Sequence, residues 1–259
     1  MSASHTDISG SYVLSENPVS KSSFIVVCEH ASNHIPASFA ALGLSQEARV
    51  SHVAWDPGAM DVSTRLAKKL DANLIASAVS RLIYDCNRPP FAKDAMPERS
   101  EIFDVPGNKN LTQGDRDART EIFYCPFKSA LKFAIDRVAS PILITVHTFT
   151  PIYNGIARSV EIGILHDSDA RLADAMLQVA ATHTDFNVQR NAPYGPEHGV
   201  THTLKQHAIK DGHLNVMLEI RNDLVETPEQ QDAMVNLLSA WINDACKNIE
   251  AKESVHCQP

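Results

Sequence analysis

The chain has no C-x-x-C pair, no apolar run near the roughly 20 residues a membrane helix needs and no excess of positive charge. Each absence removes a class of function. Its five cysteines (Cys28, Cys86, Cys125, Cys246, Cys257) are scattered, so thiolate zinc sites and thioredoxin-like redox chemistry lack their ligands. An odd, unpaired set fits a reducing cytosol better than a secreted disulfide framework, and Cys28, inside an apolar run, reads as core. The first 20 residues carry no basic stretch followed by an apolar one, so no signal peptide is expected, and the reading is a soluble, cytoplasmic protein. A formal charge of −8 argues against nucleic-acid binding, although a few local arginines can still attract a small anion. The G-x-S-x-G elbow, G-x-G-x-x-G, the P-loop and H-E-x-x-H are all missing, as are repeats and low-complexity linkers. Nothing in the sequence fixes an oligomeric state.

What is present is a chain of 259 residues, 44% hydrophobic, enough for a substantial core. Short apolar runs recur at Phe24–Cys28, Leu74–Ala76, Ile142–Val146, Val160–Leu165 and Leu214–Leu218. Such runs suggest strands buried on both faces of a largely parallel sheet. Helical spacing appears between them. Val62, Leu66 and Leu70 form one stripe, and Leu172, Met176 and Val179 form another. A helix that Pro126 kinks or restarts is expected across 115–139, and Thr227-Pro228-Glu229-Gln230 supplies a cap, an N1 proline and a capping-box glutamine for the last helix. The pattern predicts a three-layer α/β sandwich with a mainly parallel or mixed central sheet. The expected organisation is a loose leader over 1–20 that docking could partly order, one domain over 21–250 and a tail over 251–259. Residues 89–114 form the longest irregular stretch, the kind of segment that is usually functional or mobile.

Polar residues follow the apolar runs directly: Glu29 and His30 after the first, His147 after Val146, Glu219 after Leu218. In open α/β sheets ligands collect outside the carboxyl ends of strands. Two histidines and a glutamate there suit metal-assisted hydrolysis, because imidazole is a favoured zinc ligand. Either histidine alone could equally well cap a strand. A catalytic zinc site needs a third protein ligand, and the sequence offers Asp56 before a helix or His166 at the end of its own strand. Asp56 could instead be a turn residue. His34, just before Ile35-Pro36, reads as structural or supporting, while His198 and His202 suit a shared helix face or an exposed loop.

The segment Ser80-Arg81-Leu82-Ile83-Tyr84-Asp85-Cys86-Asn87-Arg88-Pro89-Pro90 sets charged and amide groups among apolar ones, which is costly unless they find partners. Arg81 with Asp85 could be a structural pair. Arg88 offers a planar fork for a carboxylate, with the Asn87 amide beside it, and this favours substrate binding.

These segments, together with Glu29–Pro36, Trp55-Asp56-Pro57-Gly58-Ala59, Val146-His147-Thr148-Phe149 and Leu218-Glu219-Ile220-Arg221-Asn222-Asp223, occur in an order that resembles the N-formylglutamate amidohydrolases from about residue 24 to about 245. The resemblance implies a phosphorylase/hydrolase-like fold similar to zinc carboxypeptidases and aspartoacylase-type deacylases. It implies a divalent metal, zinc first, on His30, Asp56 and His147, with Glu219 as general base. Asn87 and Arg88 would clamp the substrate α-carboxylate, and Arg81 or Arg221 would hold an acidic side chain. The reaction implied is hydrolysis of N-formyl-L-glutamate to formate and glutamate, as in histidine catabolism. Two departures stand out. Carboxypeptidases pair their first histidine with a glutamate three residues on, where this chain has Asn33, and the third motif reads His-Thr where deformylases often read His-Ser. Another N-acyl amino-acid deacylase, a carboxypeptidase-like hydrolase or a non-catalytic anion-binding relative are the alternatives.

Overall fold

The computed structural model describes residues 12–256, with side chains through residue 250. Its centre is a seven-stranded sheet: β1 (Val13–Glu16), β2 (Phe24–Cys28), β3 (Asn73–Ser77), β4 (Ile142–Phe149), β5 (Ile162–Leu165), β6 (Val188–Arg190) and β7 (Leu214–Arg221). The spatial order is β1-β3-β2-β4-β7-β5-β6. Strands β3, β2, β4 and β7 run parallel to one another. β1 pairs antiparallel to β3 and β5 antiparallel to β7, while β6 follows β5. The sheet is therefore mixed, and the four central strands form its parallel block.

These strands read as unbroken apolar runs because both faces are covered. Val26, Ile144, Val146, Val216 and Leu218 meet helices α1 (Ala59–Lys69), α4 (Arg171–His183) and α6 (Pro228–His256) on one side. On the other, Ile25, Val27, Leu143 and Met217 meet α3 (Cys125–Asp136), α5 (His202–His207) and the buried side chains of the 79–105 segment. The period-2 alternation of side chains divides each strand between the two cores.

Both ends of the domain carry regular structure beyond the 21–250 core. The leader expected over 1–20 is not loose throughout, since Val13–Glu16 pairs with Ser77–Leu74 as an edge strand. Residues 1–11 lie outside the described residues. At the other end α6 runs to His256, past the expected boundary at 250. Its start matches the capping-box expectation: Thr227 N–H donates to Gln230 Oε1 at 2.9 Å, and Gln230 N–H donates to Thr227 Oγ1 at 3.3 Å. Pro126 is accommodated without interrupting the helical backbone. Between α2 (Gln113–Arg119) and α3 the backbone widens into a π turn over Thr120–Tyr124, which precedes the residue that cannot donate an N–H.

The 89–114 segment, expected to be irregular, carries 3-10 turns at Lys93–Ala95 and Pro106–Asn108 and a short hairpin of Arg99–Ser100 and Phe103–Asp104, and it is anchored. Ala95, Met96, Val105 and Asn108 are buried, and the Asn108 amide donates to the carbonyls of Leu82 and Pro97 at 2.8 Å each. Arg119 donates to Asn108 Oδ1 at 2.6 Å, closing this brace.

Candidate metal and substrate site

The carboxyl ends of β2, β4 and β7 lie side by side, and they deliver the candidate residues. In the β4–β7 ladder His147 is level with Glu219. Both side chains point to the same face, away from the layer that receives Val146, Leu218 and Ile220. His30 stands two residues past the end of β2. Asp56 comes from the turn before α1, tied down by its N–H donating to the His30 carbonyl at 3.0 Å. That turn needs glycine at position 58, where φ is +82° and a Cβ would lie 2.9 Å from Val225 Cγ2.

Three ligand-type atoms converge. His30 Nδ1 is 3.2 Å from Asp56 Oδ2, His147 Nδ1 is 2.9 Å from the same oxygen, and the two ring nitrogens are 3.1 Å apart. All three residues are buried, and they form a group able to hold a metal ion. Donors about 2.0–2.1 Å from a tetrahedral zinc are spaced roughly 3.3 Å apart, close to the edges of this triangle.

Behind the triangle stand two further buried carboxylates. Asp85 Oδ1 is 2.8 Å from His30 Nε2. Glu29 Oε2 is 3.1 Å from His147 Nε2, an ion-pair distance without the alignment of a hydrogen bond. A carboxylate on the outer nitrogen fixes the tautomer and leaves the inner nitrogen free to bind a cation. Arg81 bridges the inner and outer shells, with one guanidinium nitrogen 3.3 Å from Asp56 and another 3.0 Å from Asp85.

The electrostatics call for positive charge. Burial alone would raise the Asp56 pKa, but His30, His147 and Arg81 hold it far below the usual carboxylate range. Asp85 is also depressed, with His30, Arg81 and Arg88 outweighing burial. For His147, burial disfavours the imidazolium, yet Glu29 and Asp56 reverse this and push its pKa well up. With both imidazoles counted as neutral and Arg88 paired to Asp94, the three carboxylates Glu29, Asp56 and Asp85 outnumber the one guanidinium among them, Arg81, by two. A divalent cation fits both that donor set and that charge.

Glu219 differs from the other acids. It is buried, its Oε2 has no hydrogen-bond partner among the described residues, and burial raises its pKa to about 7 despite His147. It lines a cavity of about 270 Å³ together with His30, Asp56, His147, Arg81, Asn87 and Arg88.

The remaining sequence candidates divide. Asn87 borders the cavity, but its amide is committed to the fold: Nδ2 donates to Val200 O at 2.5 Å and Oδ1 accepts from Thr203 N–H at 3.0 Å. Arg88 also reaches the cavity, with Nε donating to Asp94 at 2.6 Å and one terminal nitrogen to the carbonyls of Asn87 and Gly199. Arg221 is not in this wall. It lies on the β5 side, 2.7 Å from Asp223 and 3.4 Å from Glu161, which corrects the expectation that it could hold a substrate side chain. His166 is not in the cluster either. β5 runs against β7, so its end points to the other edge, where the His166 ring meets Arg190 and the Asp167 carbonyl. His34 is outside the cavity, His198 borders it, and His202 pairs with the Tyr124 hydroxyl at 2.7 Å. Sequence reasoning did not single out Tyr194, Tyr153, His52 or Glu101, which also line the cavity. They come from loops whose convergence no local spacing signals.

The model of the N-formylglutamate amidohydrolase family matches residues 22–226. The chain belongs to that family. It is an amidohydrolase of the N-formylglutamate type, with a small N-acyl amino acid as substrate. It resembles the crystal structure of gene product Atu2144 from Agrobacterium tumefaciens with a TM-score of 0.91 and 48% identity, over 95% of this chain and 99% of that one. The N-formylglutamate amidohydrolase from Ralstonia eutropha JMP134 shares the fold at a TM-score of 0.63 and 16% identity, over 90% of this chain and 96% of that one. No curated protein matches the chain significantly. No helix among the described residues is long and apolar enough to cross a membrane.

Proposed function

We propose that this family member hydrolyses N-formyl-L-glutamate to formate and glutamate, with His30, Asp56 and His147 as ligands of a divalent ion and Glu219 as the proton carrier. One observation carries this reading: the unpartnered Glu219 carboxylate opens on the same small cavity as the His–Asp–His triangle. Zinc is the first candidate, supported by two imidazole nitrogens and one carboxylate oxygen as donors. When bound, such an ion supplies Lewis acidity, polarising a carbonyl and making water acidic near neutral pH.

The chain's own residues supply the rest. Glu219 Oε2 takes a proton from the attacking water and returns it to the amide nitrogen as that nitrogen leaves. Burial suits it to both steps, because a carboxylate drawn towards neutrality can accept and then release a proton. Arg88 holds the α-carboxylate, fixing the formyl carbon against the triangle. Asn87 braces Arg88 through its ties to Val200 and Thr203. The architecture is read as zinc-carboxypeptidase-like, and the reaction as cytoplasmic, the latter supported by the scattered cysteines.

The test is Glu219→Gln, which keeps shape and removes the base. Metal content and melting temperature should stay as in the wild type, while kcat for N-formyl-L-glutamate falls on the order of 10²-fold or more. A fully metallated, stable variant with near-normal kcat would end the proposed mechanism. Stripping metal with a chelator should abolish turnover, and a divalent ion should restore it.

A further inference from the structure

The cations around the cavity are not equally free. Arg81 is spent on Asp56 and Asp85, and Arg88 has Asp94 as its acid partner. Arg158 has no ion pair among the described residues, although it is half-buried. Its guanidinium donates to the Tyr194 hydroxyl at 2.9 Å and to the Thr150 carbonyl at 3.3 Å. Its carbon lies 4.6 Å from the centre of the Tyr153 ring, 4.9 Å from Tyr194 and 5.4 Å from Phe149. Arg158 is not itself in the cavity wall, but all four of these neighbours are, so it stands directly behind them.

A guanidinium has five N–H donors, and two of Arg158's are occupied by these bonds. The aromatic frame holds its plane and strips part of its water, which raises its attraction for an anion. A partly desolvated cation without a carboxylate is costly to keep unless a ligand supplies one. Its position says which carboxylate. Arg88 belongs to the segment that braces His30 through Asp85, next to the triangle. Arg158 follows the hairpin of Ile152–Tyr153 and Ile156–Ala157, whose Tyr153 both lines the cavity and is exposed to solvent. In a bound N-acyl amino acid the α-carboxylate sits near the reacting amide, and the end of the side chain lies several bonds further out.

We propose that Arg158, framed by Phe149, Tyr153 and Tyr194, binds the side-chain carboxylate of the substrate and so selects acidic N-acyl amino acids over neutral ones. This rests on the reading of the cavity as an N-acyl amino-acid hydrolase site. Arg158 takes the task that sequence reasoning offered to Arg81 or Arg221, both of which are held by acids of the protein.

The experiment compares wild type, Arg158→Gln and Arg158→Lys on N-formyl-L-glutamate and its neutral isostere N-formyl-L-glutamine. For Arg158→Gln, kcat/KM on the glutamate substrate should fall about 10- to 100-fold, mostly through KM, the scale of a lost charged hydrogen-bond pair. The glutamine substrate should change by no more than about twofold. Arg158→Lys should keep part of the preference, since charge remains without the fork. Equal losses on both substrates, or no loss on either, overturn the assignment. Calorimetry with glutarate, a dicarboxylate with no amide, separates this proposal from the reading it rests on. If wild type cleaves neither formyl substrate but binds glutarate, and Arg158→Gln binds it at least tenfold more weakly, Arg158 stands and the deformylase reading fails. Equal glutarate binding by the two proteins overturns Arg158, whatever the enzyme cleaves.

Discussion

His147 and His166 both follow a buried apolar run near the carboxyl end of a strand, yet only one belongs to the site. His147 lies near the carboxyl end of β4, which runs parallel to β2 and β7, and its ring lies between Asp56 and Glu29. His166 follows β5, which runs the other way, and its Nε2 lies 2.9 Å from the Arg190 guanidinium. One ring is surrounded by carboxylates and the other faces a cation. The contrast teaches that strand direction, which sequence periodicity does not report, sorts equivalent-looking histidines into ligand and bystander. Chemistry then follows from neighbours rather than from residue type.

Paired substitutions put that contrast to its strongest test. His147→Ala should abolish metal binding and reduce turnover by at least about 10³-fold, because it removes one of three protein ligands. His166→Ala should leave metal stoichiometry intact and kcat within about twofold, since surface-region changes away from a site are usually small. Metal analysis and steady-state kinetics on both proteins decide it. If His166→Ala loses metal while Asp56→Ala keeps it, the third ligand has been assigned wrongly.

A smaller effect sharpens the same comparison. Glu29→Gln and Asp85→Asn keep size but remove the charges behind His147 and His30. Each should weaken metal affinity about 10- to 100-fold, read by competition with a chelating dye. Unchanged affinity in both would mean that the outer carboxylates serve the fold alone.

The sequence made the parallel block legible because β2, β4 and β7 are buried on both faces and leave unbroken apolar runs. Their polar terminal residues marked the site for the same reason. The antiparallel flank was not legible: direction leaves no trace in composition, and β6 is only three residues long. Val13–Glu16 escaped notice because an edge strand of mixed polarity looks like leader. Glu29 stood in plain sight beside His30, but a carboxylate's partner is set by the next strand, not by its own. Asn87 was read as a substrate donor because its binding partners, Val200 and Thr203, lie more than a hundred residues away. Arg158 carries no motif, and although Phe149 and Tyr153 are its near neighbours in sequence, the frame closes only with Tyr194 from a distant segment.

The smallest expected effect concerns Arg221, which shares β7 with Glu219. Their spacing of two residues places both on one face of the strand. By that rule alone Arg221 would face the cavity. Instead its guanidinium turns to Asp223 at 2.7 Å and Glu161 at 3.4 Å, and its backbone N–H donates to the Glu161 carbonyl at 2.9 Å, fastening β7 to the approach to β5. The pair with Asp223 is partly exposed and screened by water, so its loss should cost about 0–1 kcal/mol. For a protein of this size that corresponds to a melting-temperature drop below about 4 °C. Arg221→Gln should therefore lower the melting temperature slightly and leave KM for N-formyl-L-glutamate within about twofold of the wild-type value. The same assay on Arg158→Gln should show the large KM change. Were the two variants to exchange behaviour, with KM rising for Arg221→Gln and not for Arg158→Gln, the acidic side chain would bind on the β7 side. The division between the strand that carries the chemistry and the loop that carries specificity would then have to be redrawn.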